Sequence, residues 1–136
     1  MANAAELHRQ MLDAVLDRDF DKLRDLCHAD YVYAGGDGVE QKGADAGVAV
    51  AETYSTAFPD LSFEIRSQYE FDGDVSVLEL TARGTHEAEL EGIPPTGRRV
   101  EVVVCNIIEI QDGKIYRERE YFDGLSLMQQ LGVIEG

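Results

Sequence analysis

Apolar residues recur at helical spacing over the first part of the chain. The pattern predicts an amphipathic helix over residues 3–18, on which four apolar positions share one face: Leu7, Met11, Ala14 and Val15. A short second helix, capped by Asp19 or Asp21, and a third helix over about residues 44–57 follow it. Between these two helices, residues 31–33 are predicted to form a short strand.

Beyond Pro59 the pattern changes from helical to extended. Strands are predicted over residues 61–71, 75–84, 98–110 and 114–122. The last two form a hairpin, because Asp112-Gly113 favours a tight turn with positive φ. A short helix then begins at Asp123. Three helices and one early strand, followed by a curved antiparallel meander and a short helix, predict a single α+β domain over residues 1–136.

The strand predicted at residues 98–110 carries apolar side chains on both faces. They are Val102, Val104 and Ile108 on one face, and Val103, Cys105 and Ile107 on the other. An antiparallel sheet with one face in water shows an alternating pattern instead. Since the helices cover one face, we expect the other face to pack against a second copy of the chain, as a homodimer.

The charge of the chain excludes several classes of partner. Its 136 residues include 27 acidic and 12 basic side chains, which give a formal net charge of −15. Nucleic acids and anionic membranes attract positive charge, so we expect neither as a partner. The chain also has no apolar stretch near the ~20 residues of a membrane helix. Its N-terminus lacks the charged-then-apolar pattern of a signal peptide, which predicts a cytoplasmic protein.

The cysteine content predicts free thiols in a reducing compartment. Cys27 and Cys105 are too few for a disulfide framework in a chain of this length, and Cys105 lies in an apolar run. No pair of cysteine and histidine has the spacing of zinc ligands, so we expect no metal site.

Three stretches in the second half of the chain carry a family resemblance. They are Gly84-Thr85-His86-Glu87 with the following ELEGIPPTGRR, the hairpin IIEIQDGKI, and the ending EYFDGLSLMQQLG. Together with the opening helix and HADY at residues 28–31, their order and spacing resemble the SnoaL-like polyketide cyclases of the nuclear transport factor 2-like superfamily. The resemblance implies a sheet curled into a cone, whose wide end the helices plug and whose pocket binds a small molecule.

This resemblance also implies an enzyme that needs neither cofactor nor metal. Polyketide cyclases of this type close a ring by intramolecular aldol addition, so a small apolar or aromatic molecule is the expected substrate. Other proteins with this architecture isomerise ketosteroids, hydrolyse epoxides, dehydrate, hydroxylate without a cofactor, or only bind ligands. The fold alone does not choose among these functions, so another reaction or a non-catalytic binding role stays open.

Glu120 is the first candidate for catalysis. It lies on the last predicted strand, at a position where the resemblance implies a catalytic carboxylate, usually Asp. Burial in an apolar pocket raises the pKa of a carboxylate toward the working pH, where it can take and return a proton. Glu118 lies on the same face, two residues earlier, and is a candidate pocket residue. The alternative is that both carboxylates are solvated or paired with nearby arginines.

Asn106 interrupts an otherwise apolar strand face. A buried amide without a partner costs ~1–3 kcal/mol, so Asn106 is expected to be hydrogen-bonded or directed at a ligand. In the cyclases, a His stands at the matching position. Asn cannot shuttle protons, but it can donate a hydrogen bond to an enolate oxygen, which makes Asn106 a candidate for polarising a substrate carbonyl.

Two other polar residues have both a catalytic and a structural interpretation. His86, in the family stretch, is either a hydrogen-bond donor near the pocket or a residue that fixes the loop after it. Asp123 is either an acid/base group or the cap of the final helix. The remaining histidines, His8 and His28, are expected at the surface.

Aromatic residues are candidates for the pocket wall, although each also fits an ordinary core position. They are Tyr33, Tyr54, Phe58, Phe63 and Phe122. Aromatic walls suit a flat, largely apolar ligand, so the sequence favours a ligand of that shape.

Overall fold

Four helices and six strands make up the fold in the computed structural model, which describes residues 2–135. The helices are α1 (Ala4–Leu16), α2 (Phe20–Leu26), α3 (Ala44–Ala57) and α4 (Gly124–Leu131). The strands are β1 (Cys27–Ala34), β2 (Glu40–Lys42), β3 (Ser62–Phe71), β4 (Val75–Thr85), β5 (Arg99–Gln111) and β6 (Lys114–Phe122). The predicted α+β class and element order are confirmed, and the short strand β2 is an addition.

Polar side chains define where three of the helices begin. Asn3, Asp19 and Asp123 each accept a hydrogen bond from the backbone N–H three residues later, at 2.9, 3.1 and 3.0 Å. Such caps satisfy one of the backbone donors that the first helical turn leaves free. They start α1, α2 and α4, so Asp19, rather than Asp21, is the cap of the second helix.

The six strands form one sheet in the order β2-β1-β6-β5-β4-β3. The meander from β3 to β6 is antiparallel, as predicted. The early strand β1 pairs parallel to β6, so the whole sheet is mixed rather than antiparallel throughout. Parallel neighbours need a long connection, and here α3 and the whole β3–β5 meander lie between the two strands. The first strand can therefore extend the meander at its β6 edge and wall off one side of the space under the helices.

Tight turns and bulges shape the meander into a curved sheet. Asp112 and Gly113 have φ angles of 55° and 73°, as the predicted turn between β5 and β6 requires. Register shifts interrupt the pairing of β3 with β4 and of β5 with β6. Such bulges bend a sheet, and the bend gives this one a concave face.

The concave face of the sheet forms the core with the helices. Alternate positions of β5 from Val100 to Ile108 are buried there, together with Leu78 and Leu80 of β4. The opposite face is open, since Val103 remains 52% exposed. No helix within residues 2–135 combines the length and the hydropathy of a membrane span.

Candidate active site

A cavity lies between the concave face of the sheet and the helices. Its volume is about 140 Å³, several times the roughly 30 Å³ that one water molecule takes up in the liquid. All the aromatic residues predicted for the pocket contribute to its wall: Tyr33, Tyr54, Phe58, Phe63 and Phe122. Aliphatic side chains from α1, β4 and β5 complete the wall, so the cavity is largely apolar.

Glu118 and Glu120 bring negative charge to the far side of this cavity. Both lie on β6, two residues apart, and therefore point to the same face of the sheet. Within residues 2–135 they are the charged side chains of the cavity wall. The nearby arginines do not neutralise them, because Arg119 pairs with Glu109 and Arg83 pairs with Glu64 and Glu101.

Asn106 joins the two carboxylates. It is the cross-strand partner of Glu120 on β5, and its side chain is 2% exposed. Its Nδ2 donates to Glu118 Oε2 and to Glu120 Oε2, both at 2.9 Å. An amide nitrogen carries two hydrogens, so neither is left for a substrate, and the geometry does not support Asn106 as the group that polarises a substrate carbonyl.

Tyr31 distinguishes the two carboxylates from each other. Its hydroxyl donates to Glu118 Oε1 at 2.5 Å, and the ring is 1% exposed. Both oxygens of Glu118 therefore accept hydrogen bonds, from Tyr31 and from Asn106. Within the described residues, the only hydrogen bond of the Glu120 side chain is that of Oε2 with Asn106, so Oε1 is free for a ligand.

The pKa values follow from this asymmetry. Burial raises the pKa of Glu118, against the opposing effect of its two donors, Tyr31 and Asn106. Burial first, and then the charge of Glu118, raise the pKa of Glu120 to about 7, against a single opposing hydrogen bond from Asn106. Glu120 is thus the carboxylate that exchanges a proton near neutral pH, the property required of a general acid/base.

A glycine makes room for the Tyr31 hydroxyl. A Cβ atom on Gly47 of α3 would lie 2.4 Å from that oxygen and 2.9 Å from the adjacent ring carbon. We expect Gly47→Ala to displace Tyr31 from Glu118 and to lower the free energy of unfolding by ~1–2 kcal/mol, because overpacking exceeds the gain in helix propensity. Thermal unfolding measures this change. Gly36→Ala, where a Cβ would meet nothing within 4 Å, is the control and should leave stability nearly unchanged.

His8 is part of the site, although the sequence placed it at the surface. Its side chain is 0% exposed, and its Nε2 lies 2.7 Å from Asn106 Oδ1. Burial lowers the pKa of His8 to about 4, so the ring is neutral at pH 7. The surface assignment was wrong because His8 belongs to the buried stripe of α1, one helical turn after Ala4 and one before Met11. That spacing was the available signal.

His86 and Asp123 lie outside the cavity wall. The ring of His86 is buried beside Phe58, and its Nδ1 accepts from the backbone N–H of Thr96 at 3.1 Å. Backbone hydrogen bonds of His86 with Gly97 and Arg98 close the same loop. Asp123 caps α4 through its carboxylate. These contacts match the structural interpretation of each residue and give neither a path to a ligand.

Among the described residues, the cavity wall contains neither a cluster of metal-ligating side chains nor a disulfide. No group of three or more His, Cys, Asp or Glu within residues 2–135 has a geometry that could hold a metal ion. Cys27, in the wall, and Cys105 are both free thiols. Burial raises the pKa of Cys27 to about 12, so it is a protonated and weakly nucleophilic group.

Comparison with known proteins connects this geometry to a family. The profile of the SnoaL-like polyketide cyclases matches residues 5–131. Aklanonic acid methyl ester cyclase DnrD of Streptomyces peucetius is 30% identical over 134 residues, which are 97% of this chain and 92% of the relative.

Solved structures with the same fold carry several names. AclR of Streptomyces galilaeus, assigned as a hydroxylase, superposes with a TM-score of 0.85 at 27% identity, covering 97% of this chain and 82% of AclR. An epoxide hydrolase of Mycobacterium tuberculosis shares the fold alone, with a TM-score of 0.71 at 21% identity over 94% of this chain and 88% of its own. The family profile spans nearly the whole chain, and the protein belongs to the SnoaL-like polyketide cyclase family.

Proposed function

We propose that the protein closes a ring in a small polyketide-like molecule by intramolecular aldol addition, with Glu120 as general acid/base and without a cofactor. The observation that carries the proposal is a carboxylate with a raised pKa and a free oxygen, facing an apolar cavity. Homologues named as cyclases support the same reaction class. Cofactor-free aldol chemistry requires little more than such a base and a donor for the developing oxyanion.

The proposed reaction is balanced within one substrate molecule. Glu120 Oε1 removes a proton from the carbon next to a carbonyl group, which gives an enolate. The enolate carbon attacks a second carbonyl of the same molecule and forms the new carbon–carbon bond. The resulting alkoxide takes the proton back from Glu120, so the product is an isomer of the substrate and the enzyme is unchanged.

Tyr33 is the proposed donor to the enolate oxygen. Tyr33 of β1 is the cross-strand partner of Glu118 of β6, and its ring lines the cavity. Burial, and after it the charge of Glu120, raises the pKa of Tyr33, so the hydroxyl keeps its proton at neutral pH. Asn106 cannot take this role while both of its N–H groups are bound to the glutamates.

The substrate is expected to be uncharged. Glu118 and Glu120 repel an anion, and within the described residues no basic side chain lines the cavity to compensate. An ester fits this environment better than the corresponding acid, since burying an unpaired carboxylate costs several kcal/mol. The name of DnrD, a methyl ester cyclase, points to the same class of substrate.

Mass spectrometry with an anthraquinone-type polyketide methyl ester tests the proposal. We expect the wild-type protein to produce a ring-closed isomer of unchanged mass, and to prefer the ester over the free acid by at least about 100-fold in kcat/KM. If the ester were not closed, the proposed reaction would be contradicted. If the ester and the acid were turned over equally, the proposed substrate class would be contradicted.

A different reaction on the same fold is the second candidate. It is favoured by Asn106, at a position where the family resemblance implies a His, and by the likeness to AclR. The same mass spectra separate the candidates, because hydroxylation adds an oxygen atom, epoxide hydrolysis adds water, dehydration removes water and ring closure leaves the mass unchanged. Binding of the ester without any product would indicate a non-catalytic module.

A homodimer through the outer face of the sheet is part of the proposed working form. Four large apolar side chains are 43–56% exposed there: Tyr69, Phe71, Val103 and Tyr121. We expect Val103→Asp to convert a dimer into a monomer, measured by light scattering after size exclusion. Val39→Asp is the matched control, because Val39 is similarly exposed but lies outside the sheet. A monomeric wild-type protein would contradict the dimer.

A further inference from the structure

A buried row of hydrogen-bonded side chains lies behind the carboxylate pair. Ser76, His8 and Asn106 are at most 2% exposed, and they come from β4, α1 and β5 respectively. The ring of His8 connects the other two, with Nδ1 at 2.7 Å from Ser76 Oγ and Nε2 at 2.7 Å from Asn106 Oδ1. The reaction described above assigns no role to His8 or Ser76.

The direction of these hydrogen bonds is fixed at the cavity end. Reversing the Asn106 amide would turn its oxygen toward Glu118 and Glu120, and acceptors would then face each other. The amide oxygen must therefore face His8, and His8 Nε2 must carry the hydrogen of that bond.

The direction continues away from the cavity. A neutral imidazole with its hydrogen on Nε2 has an acceptor at Nδ1, which can receive the Ser76 hydroxyl. Ser76 Oγ in turn accepts from Gln68 Nε2 at 3.2 Å, and Gln68 Oε1 accepts from Arg9 Nε at 2.9 Å. Each donor thus points toward the carboxylates, and the row begins at a cation on the surface of α1.

We infer that His8 is a positioning residue: its Nε2–H locks the Asn106 amide so that both N–H groups point at Glu118 and Glu120. Ser76 and Gln68 lock His8 in the required tautomer. The row is not a proton wire, because the Asn106 amide has no proton to pass on at neutral pH. The orientation of the Asn106 amide does not depend on turnover. The inference rests on the proposed function only where it connects this orientation to catalysis.

The consequence is a stabilised negative charge at the pair. Hydrogen bonds to a carboxylate favour its charged form. When His8 cannot donate, the Asn106 amide is free to rotate, and the carboxylates lose donors that burial makes hard to replace. The pair then takes up protons at higher pH than in the wild-type protein.

Nuclear magnetic resonance of the wild-type imidazole rings tests the tautomer without any substitution in the site. The chain has three histidines, so long-range 1H–15N spectra are simple to assign. We expect His8 to be neutral with its hydrogen on Nε2 between about pH 5 and 8. A hydrogen on Nδ1, or a charged ring in this range, would overturn the inference.

Titration of 13C-labelled glutamate tests the consequence. His8→Leu is expected to raise the apparent pKa values of the Glu118–Glu120 pair by about one unit. His8→Gln is expected to restore most of the wild-type titration, because a Gln amide supplies both a donor and an acceptor. His28→Leu, on the outer side near Asp112, is the control. Equal titration in the wild type and His8→Leu, or no rescue by His8→Gln, would overturn the inference.

The other titratable groups around the pair do not confuse this readout. Burial raises the pKa values of Tyr31, Tyr33 and Tyr54, so these groups remain neutral over the range. The titration needs no substrate, so it tests the role of His8 even if the wild-type protein closes no ring. An inactive wild-type protein would count against the proposed function only. If His8→Leu does not fold, the wild-type tautomer and His8→Gln still decide it.

Discussion

Glu120→Gln is expected to lower the rate of ring closure by at least about 100-fold, the usual contribution of a general acid/base. Gln keeps an oxygen that can accept from Asn106, so the hydrogen bond at 2.9 Å can survive the substitution. What is lost is the proton exchange of a carboxylate whose pKa lies at about 7. Single-turnover kinetics with the methyl ester measure the loss separately from product release.

Two further substitutions make this expectation specific. Glu118→Gln removes the charge that helps to raise the pKa of Glu120, so the rate should persist and its pH dependence should move to lower pH. Glu79→Gln is the matched control on the outer face, where Glu79 is exposed and accepts from Ser67. If Glu120→Gln and Glu79→Gln closed the ring equally fast, Glu120 would not be the acid/base group.

Local signals in the sequence were sufficient for most of the fold. The Asp112-Gly113 turn pairs Gln111 with Lys114 at the start of the β5–β6 hairpin, because positive φ at both positions gives a tight two-residue loop. The Asn3 and Asp123 caps determine where α1 and α4 begin. These features depend on neighbouring residues, and the sequence contains them directly.

The pairing of strands that are distant in the chain could not be predicted from local signals. The parallel contact of β1 with β6 joins residues more than eighty positions apart, and no residue of β1 specifies the direction of its partner. Strand β2 is three residues long and exposed, with no apolar alternation to reveal it. The pairing of β1 with β6 decides how the cavity is closed on the side of Tyr31 and Tyr33, so the shape of the site could not be predicted from periodicity.

The sequence predicted several residues of the candidate site but not the hydrogen bonds between them. The strand alternation of β6 placed Glu118 and Glu120 on one face, and both line the cavity. Their position beside Asn106 depends on the register shift between Glu109 and Ile110, which the sequence did not predict. In the structure, both N–H groups of the Asn106 amide bind the two glutamates. This arrangement depends on distances across strands, which no sequence pattern gives. Tyr31 was missed as a site residue because its hydroxyl reaches Glu118 only through the parallel pairing.

The stability of Glu120→Gln is expected to exceed that of the wild type at alkaline pH. The pKa of Glu120 rises from an ordinary value of 4.5 to about 7 on folding. Between these values the folded chain binds a proton that the unfolded chain has lost, so the contribution of Glu120 to stability falls as pH rises through this window. Gln does not titrate, and the substitution removes that fall.

The expected difference is measurable by thermal unfolding. The full shift would correspond to ~3 kcal/mol, and we discount it to about 1–2 kcal/mol because the cavity admits solvent and the two carboxylates titrate together. The Tm advantage of Glu120→Gln over the wild type should therefore grow by roughly 5 °C between about pH 5 and 8. Glu79→Gln should show no such growth, and a constant difference for Glu120→Gln would mean that Glu120 is charged throughout. A carboxylate that lowers stability in the pH range where it can exchange a proton is expected to have a functional role. A structural carboxylate would instead have a cation beside it.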